Sequence, residues 1–398
     1  NAGVQGPVSV ETHNPDRSVS NEEMSKRVVE VVRRAWPTAA PGSVEPTPKY
    51  EKAGRPWEDK PVGFAVVGLG KGHGNSGKCV RTPGTKLVGV CDLVEDRARR
   101  TGEEYDAPWT TDYRTLLDND QVEVVYVVTE TGNHAPIACD ALRAGKHVLV
   151  TKPMEASLAA CEEMIRLADE RGLLLGVDFE RRFTPATCGL RKAVSDGRFG
   201  RLLSGNVSLK ILRTMDYFQS NGGWRGTWEL DGGGVFSNQA IHHIDEIAFA
   251  VGIPSRIRAD IWTQNHEIEA EDCGSAVWLY DDGLAITFNA TTSYPHSTWY
   301  NRIELEGTEG AYVRGQGGPF EKTFSRYYVD GAWRDAPPEA VEPEWLGAPD
   351  NFAAALRSGA PLTADGRDGR RSQSILDAMY RSARDHNGDW VEVKGEMD

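Results

Sequence analysis

The sequence predicts an α/β chain in two parts: a parallel sheet wound with helices, then an α+β domain built on an open, largely antiparallel sheet. Three observations lead there. Between residues 62 and 177 apolar runs of strand length alternate with helical stretches. A glycine turn, Gly68 and Gly70, follows the first of those runs. After about Phe199 the pattern changes to strands in series, with Asp281-Asp282-Gly283 as a hairpin signal between two of them.

Residues 1–60 stand apart, rich in proline and charge, with one helix expected over 21–35 behind an Asn21 cap and the acidic pair Glu22-Glu23. They read either as a partly ordered tail or as an oligomerisation arm that packs on a neighbouring subunit. Residues 61–180 form the first domain, with strands expected at 63–67, 86–91, 124–129, 147–150 and 173–177 and helices at 110–117, 134–144 and 157–170. The strands are continuously apolar rather than alternating, as a sheet covered on both faces requires. Right-handed crossovers then make it doubly wound. Residues 181–345 form the second domain, with strands at 201–212, 256–263, 274–280, 285–292, 302–307 and 311–314 and a helix at 237–251. Residues 346–398 add helices at 348–358 and 370–384, expected to pack back on the first domain. No internal repeat is visible.

The chain has 398 residues, enough for two hydrophobic cores. Its 45 Lys+Arg against 59 Asp+Glu give a net charge of −14, which argues against nucleic acid and anionic membrane as partners. A local basic patch can still receive an anionic substrate. Six cysteines without a CxxC pair suit free thiols in a reducing compartment, so the cytoplasm is expected and a metal site is not. Neither a membrane-length apolar run nor a signal-peptide core is present.

The segment Val62-Gly63-Phe64-Ala65-Val66-Val67-Gly68-Leu69-Gly70-Lys71-Gly72-His73 is a buried strand running into a glycine turn. Gly68 permits the turn, and Gly70 lets the backbone approach a pyrophosphate at the next helix's N-terminus. Asp92, at the end of the second strand, lies at the separation that suits a hydrogen bond to an adenosine ribose. This is a Rossmann-type dinucleotide site, with Gly68, Leu69, Gly70, Gly72, His73, Asp92, Leu93 and Arg97 as its first set of candidates. Thr129, Asn133 and His134 join them at the rim where the strand at 124–129 ends, and Lys152 from the strand that ends at Val150. Asp92 favours NAD, since a carboxylate facing a 2′-phosphate is unfavourable; Lys71, Arg97 and Arg99 keep NADP open. His73 holds the third motif position, where a small residue is usual, and Gly74 is expected to supply the close packing instead.

Two further stretches carry chemistry. Lys152-Pro153 directly follows an apolar strand, so Lys152 points toward the same crevice as the dinucleotide. The run from Asp231 through Gly232-Gly233-Gly234 to Asp245 places Asn238, His242 and Asp245 at i, i+4 and i+7 of one helix, a single face. His243 lies about a quarter turn away and reads as structural or as a substrate-rim contact. Phe179, Arg181, Arg182 and Phe183 could line the crevice mouth. Trp224, Arg225 and Trp228 precede the triple glycine, where aromatics could stack on a sugar and an arginine could reach a carboxylate or phosphate. His296 and Tyr300 lie in a long connection and could join the site.

Over about residues 62–385 these motifs together resemble the Gfo/Idh/MocA oxidoreductases. The resemblance implies NAD(P)-dependent oxidation of a secondary alcohol on a sugar or cyclitol. The family's Glu-Lys-Pro motif is matched by Thr151-Lys152-Pro153, without the glutamate, and Asn238 stands where members often carry aspartate. By this resemblance Lys152 and His242 are catalytic. His242, with a reference pKa of ~6.5, is expected to accept the hydroxyl proton while Lys152 stabilises the oxygen. Arg181, Phe183, Trp224, Arg225, Asn238, His243 and Asp245 are the expected substrate contacts. Two other readings stay open: an enzyme that retains NAD and oxidises a sugar transiently for bond cleavage or epimerisation, and a non-catalytic sugar- or dinucleotide-binding regulator. The open sheet suits a homodimer or homotetramer.

Overall fold

A computed structural model describes residues 57–295, 299–317, 323–337 and 341–395. The expected helix at 21–35, the arm as far as residue 56, and His296 lie outside the described residues.

The first sheet contains β1 (Val62–Val67), β2 (Thr85–Cys91), β3 (Trp109–Thr110), β4 (Val124–Val127), β5 (His147–Thr151) and β6 (Leu175–Asp178). All pair in parallel, in the order β3-β2-β1-β4-β5-β6. Every residue of β1 is buried, because helices cover both faces. Strand order reverses between β1 and β4, and a crevice opens beyond their carboxyl ends. The helices are α1 (Gly72–Arg81), α2 (Glu95–Tyr105), α3 (Arg114–Leu117), α4 (His134–Arg143) and α5 (Leu158–Arg171). Ser157 caps α5 by accepting from Ala160 N. Helix α2 carries no apolar stripe, since it buries only Ala98, Thr101 and Gly102, which is why the sequence pattern does not announce it. The helix expected at 110–117 shrinks to α3, because Trp109 and Thr110 pair with β2 instead.

The second sheet has nine strands: β7 (Leu202–Lys210), β8 (Arg256–Trp262), β9 (Cys273–Leu279), β10 (Ala285–Thr291), β11 (Tyr300–Gly307), β12 (Ala311–Gln316), β13 (Phe324–Val329), β14 (Ala332–Arg334) and β15 (Val391–Glu392). Their order is β14-β13-β12-β11-β7-β10-β9-β8-β15, with β7 and β10 parallel and the other pairs antiparallel. Along β9 buried and half-buried residues alternate, and Trp278 stacks on Phe288 of β10 at 5.2 Å on the covered face. Five helices accompany this sheet: α6 (Pro185–Ser195), α7 (Met215–Gln219), α8 (Ile241–Val251), α9 (Ala348–Ser358) and α10 (Gly366–Tyr380). The single helix expected at 237–251 is two pieces, a π turn at Val235–Ala240 and then α8.

Helix α9 seats Phe352 edge-on against Phe64 of β1, and α10 runs between the two sheets. A buried ion pair sits at that junction. Arg182 donates to Asp245 through Nη2 (2.7 Å) and Nε (3.0 Å), and Ser372 of α10 donates to the same carboxylate at 3.0 Å. Arg182 also pairs with Asp368 at 3.0 Å. One guanidinium thus ties the turn after β6 to α8 and α10. Removing one partner strands a buried charge, so Asp245→Ala should lower the unfolding free energy by about 3–5 kcal/mol in urea titration. Stability unchanged within about 1 kcal/mol would show that the pair is not what joins these elements.

Candidate active site

A cleft of about 1480 Å³ runs from the ends of β1 and β2 to the start of α8. At its first end Gly68 has φ +89°, and its N–H donates to the carbonyl of Cys91 at 2.8 Å. A Cβ on Gly68 would lie 2.7 Å from the Val128 carbonyl, whereas one on Gly70 would meet nothing within 4 Å. The glycine at 70 therefore leaves an open approach to the backbone at the head of α1, the space a pyrophosphate needs. Asp92 Oδ2 accepts from Leu69 N at 2.7 Å, and Oδ1 from Val94 N at 2.9 Å. Arg97 pairs with Asp92 at 3.1 Å and reaches across to Asn221 Oδ1 at 3.2 Å. The carboxylate is thus held firmly at the rim where an adenosine ribose would lie.

At the other end Lys152, half-buried at the close of β5, donates from Nζ to the Asn238 carbonyl at 2.8 Å. Burial, helped by the charge of Lys71, pulls its ammonium down to about 7. His242 lines the same cleft with Nδ1 buried and unpartnered. Burial and the charge of Lys152 hold its imidazole well below the usual range, so it stays neutral at neutral pH. The side chain of Asn238 is fully engaged. It donates to Asp231 Oδ1 at 2.7 Å and accepts from Gln239 Nε2 at 2.9 Å and Tyr217 Oη at 3.2 Å. Burial lifts Asp231 to about 6.

The glycine-rich turn that delivers these groups is pinned from behind. Glu271 accepts from Gly234 N (3.0 Å), Phe236 N (2.9 Å) and Tyr380 Oη (2.8 Å). A Cβ at Gly234 would run into the Glu271 backbone, which is why the close approach needs glycine there.

Residues 62–179 match the family model "Oxidoreductase family, NAD-binding Rossmann fold", and residues 189–313 match "GFO/IDH/MocA C-terminal domain". The chain belongs to the Gfo/Idh/MocA oxidoreductase family. Its first domain is that family's NAD-binding fold. Among relatives, D-apiose dehydrogenase of Paraburkholderia graminis is 23% identical over 332 residues, 78% of this chain and 84% of that protein. The scyllo-inositol 2-dehydrogenase (NAD(+)) of Bacillus subtilis is 26% identical over 268 residues, 64% of this chain and 74% of the other. Among solved structures, the WlbA dehydrogenase from Bordetella pertussis, in complex with NADH and UDP-GlcNAcA, is 28% identical with a TM-score of 0.75. That alignment covers 85% of this chain and all of the other.

The cleft is lined by Gly68, Leu69, Gly70, His73, Asp92, Leu93, Arg97, Thr129, Asn133 and Lys152 among the residues expected to hold a dinucleotide. Arg181, Trp224, Arg225, Asn238, His242 and His243 line the remainder. Five expectations need correction. Asp245 holds no ligand: it lies almost a turn farther along α8 than His242, where Arg182 takes its carboxylate. Phe183 is partly buried against the hydrophobic core that contains Phe64 and Phe352, and it is not among the residues that line the cleft. His134 is fully buried, its ring nitrogens facing the carbonyls of Thr129, Pro153 and Met154. It braces the backbone next to Lys152 instead of touching a dinucleotide. Gly72 opens α1, where an added Cβ would lie 3.3 Å from Val66 and Val128; Gly72, rather than Gly74, which has open space around it, makes the close approach to β1. His73, although at the cleft wall, turns to Thr101 Oγ1 (3.3 Å) and to the ring of Tyr105.

Outside those sets, Trp228 packs on Tyr380 and Arg384, and Arg182 is a core residue. Residues the sequence did not single out include Arg213, Tyr217 and Gln239 in the cleft wall and the Glu271–Tyr380 brace. Gln239 lies inside the 231–245 run, beside Asn238; the others belong to no motif, and only the fold brings them in. Gly70→Ala should leave the unfolding free energy within about 1 kcal/mol, because the methyl meets nothing. It should weaken NADH at least about tenfold in a fluorescence titration, because the methyl occupies the pyrophosphate approach. Unchanged NADH affinity would mean that the pyrophosphate binds elsewhere.

Proposed function

We propose that the chain oxidises a secondary hydroxyl of a sugar, glycoside or cyclitol with NAD, using Lys152 as the proton acceptor. The observation that supports this most directly is the Lys152 ammonium, lowered to about 7 and sharing one cleft with His242 and the Gly68–Gly70 turn. The sugar and cyclitol dehydrogenases among its relatives support the substrate class.

NAD, held at the Gly68–Gly70 turn, would supply the acceptor for the hydride of the carbinol carbon. The hydroxyl proton must leave at the same time, and the chain supplies its acceptor. A lysine near 7 is about half neutral at neutral pH, the condition for an efficient general base. The Asn238 carbonyl holds Nζ in place, leaving the remaining valences of the amine for the substrate oxygen. His242, kept neutral, orients that oxygen by a hydrogen bond. This reverses the division of labour that reference pKa values suggest, in which the histidine is the base. The carboxylate missing at position 238 has a counterpart one layer back in Asp231, whose charge favours the protonated lysine and so sets the lower limit of its pKa.

Incubation with NAD and a panel of sugars, cyclitols and glycosides should yield NADH absorbance. Failure of every member to reduce NAD would overturn the dehydrogenase reading; reduction of tightly held cofactor without net release would move it to the transient-redox class. With a turned-over substrate, kcat/KM should rise about tenfold per pH unit below ~7 and level off above it, since the neutral amine is the active form. Lys152→Met should lower kcat by about 10²–10⁴-fold with NADH affinity retained. Removing the negative charge in Asp231→Asn lowers the lysine pKa further, so the acidic limb should move to lower pH. Removing the positive charge in Lys71→Met should move it to higher pH, each by on the order of one unit. A limb that ignores both substitutions would exclude Lys152 as the titrating group.

A further inference from the structure

We propose that the sugar this cleft accepts is an acidic one, with its carboxylate or phosphate ester bound by Arg213 and Arg225. The proposal rests on the dehydrogenase reading above and specifies its substrate. It begins from a local charge that opposes the global one. The chain as a whole carries −14, yet its cleft is lined by several Lys and Arg side chains. Most of these have an occupation. Arg97 is neutralised by Asp92, and Arg181 by Glu246 at 3.3 Å. Lys71 lies in the glycine turn beside the pyrophosphate approach, and Lys152 is held at the reacting centre.

Arg100 is exposed on α2 and donates to the Asp96 carbonyl at 3.2 Å; that leaves Arg213 and Arg225, and neither pairs with a carboxylate among the described residues. Both guanidiniums stack on one aromatic ring, that of Tyr217, at 4.5 Å and 4.7 Å from its centroid. Arg213 Nη2 donates to Gln239 Oε1 at 3.2 Å, while its Nε is buried without an acceptor among the described residues. Arg225 donates only to the Tyr217 carbonyl (3.4 Å) and Ser220 Oγ (3.0 Å). Two like charges brought onto one ring in the cleft wall, neither met by a carboxylate, make a site that an anion would complete. Its position fits the chemistry. Tyr217 Oη and Gln239 Nε2 both bond Asn238 Oδ1, and the carbonyl of that same residue holds Lys152. Anion and reacting hydroxyl would therefore sit on one small molecule. The site is also built to stay put, since the Arg213 carbonyl accepts from His266 Nε2 at 2.8 Å and His266 is itself anchored on Asp272 at 2.9 Å.

The test is calorimetric titration of the NADH-loaded chain with D-glucuronate, D-glucose 1-phosphate and D-glucose. At low salt at least one acidic sugar should bind ten times or more tightly than glucose, and 0.5 M NaCl should remove most of the difference. A glucuronate preference identifies a carboxylate, a glucose 1-phosphate preference a phosphate ester. Arg213→Gln and, separately, Arg225→Gln should each abolish the preference while NADH affinity, read by fluorescence, reports an intact fold; Arg225→Gln serves if the first variant does not fold. Glucose binding as well as both acids, no binding by either acid, or a preference that survives both variants would overturn the proposal. Arginine-dependent binding of an acidic sugar without NADH formation by any sugar would instead sink the dehydrogenase reading and leave the anion site standing. Turnover of neutral sugars without arginine dependence would do the reverse.

Discussion

The hydrogen bond from Lys152 Nζ to the Asn238 carbonyl is the contact on which the rest of the site depends. It joins the end of a strand in the first sheet to the glycine turn that precedes α8, so the two halves of the cleft meet at one proton-carrying group. Each side of the bond has its own support. His134 braces the Pro153 and Met154 carbonyls just beyond the lysine. The Glu271 carboxylate and the Tyr380 hydroxyl grip the turn at Gly234, Phe236 and Ser237. Without these supports the lysine would have rotamer freedom, and a flexible amine in water keeps its ordinary pKa near ~10.4.

Electrostatics beneath and above the cleft floor are arranged in opposite ways. Beneath it, charge is paired: Glu246 is met by Arg314, with Arg181 reaching the same carboxylate from the cleft wall, and Arg182 is shared by Asp245 and Asp368. These pairs are buried and serve architecture, because a lone charge there would be costly. Above it, Lys152 is half-buried beside Lys71 with no carboxylate in direct contact. The same desolvation that makes a buried charge expensive makes the neutral amine the accessible form. Asp231, reached through the Asn238 amide, keeps the shift from going further.

Much of the framework was legible in the sequence because it is written in local periodicity. Runs such as Val62–Val67 are continuously apolar, and the turn chemistry at Gly68 and Gly70 is confined to three residues. What escaped depends on distance along the chain or on small residues. Helix α2 buries only small residues, so its pattern reads as polar. Asp245 shares a helix with His242, yet its partner Arg182 lies 63 residues earlier and claims it. Gly72 rather than Gly74 makes the close approach, because at the start of α1 it is Gly72 that faces Val66 and Val128. Arg213 and Tyr217 sit in a connection without a motif, and only the folded wall shows that they face the lysine's support.

The central claim is that burial and neighbouring charge make Lys152 a base at neutral pH. The direct measurement is the titration of its side chain by NMR, with lysine labelled at the ε carbon and the resonance assigned by its loss in Lys152→Met. The account predicts a midpoint near 7. A midpoint in the ordinary lysine range, near ~10.4, would contradict it and return the role of base to another group.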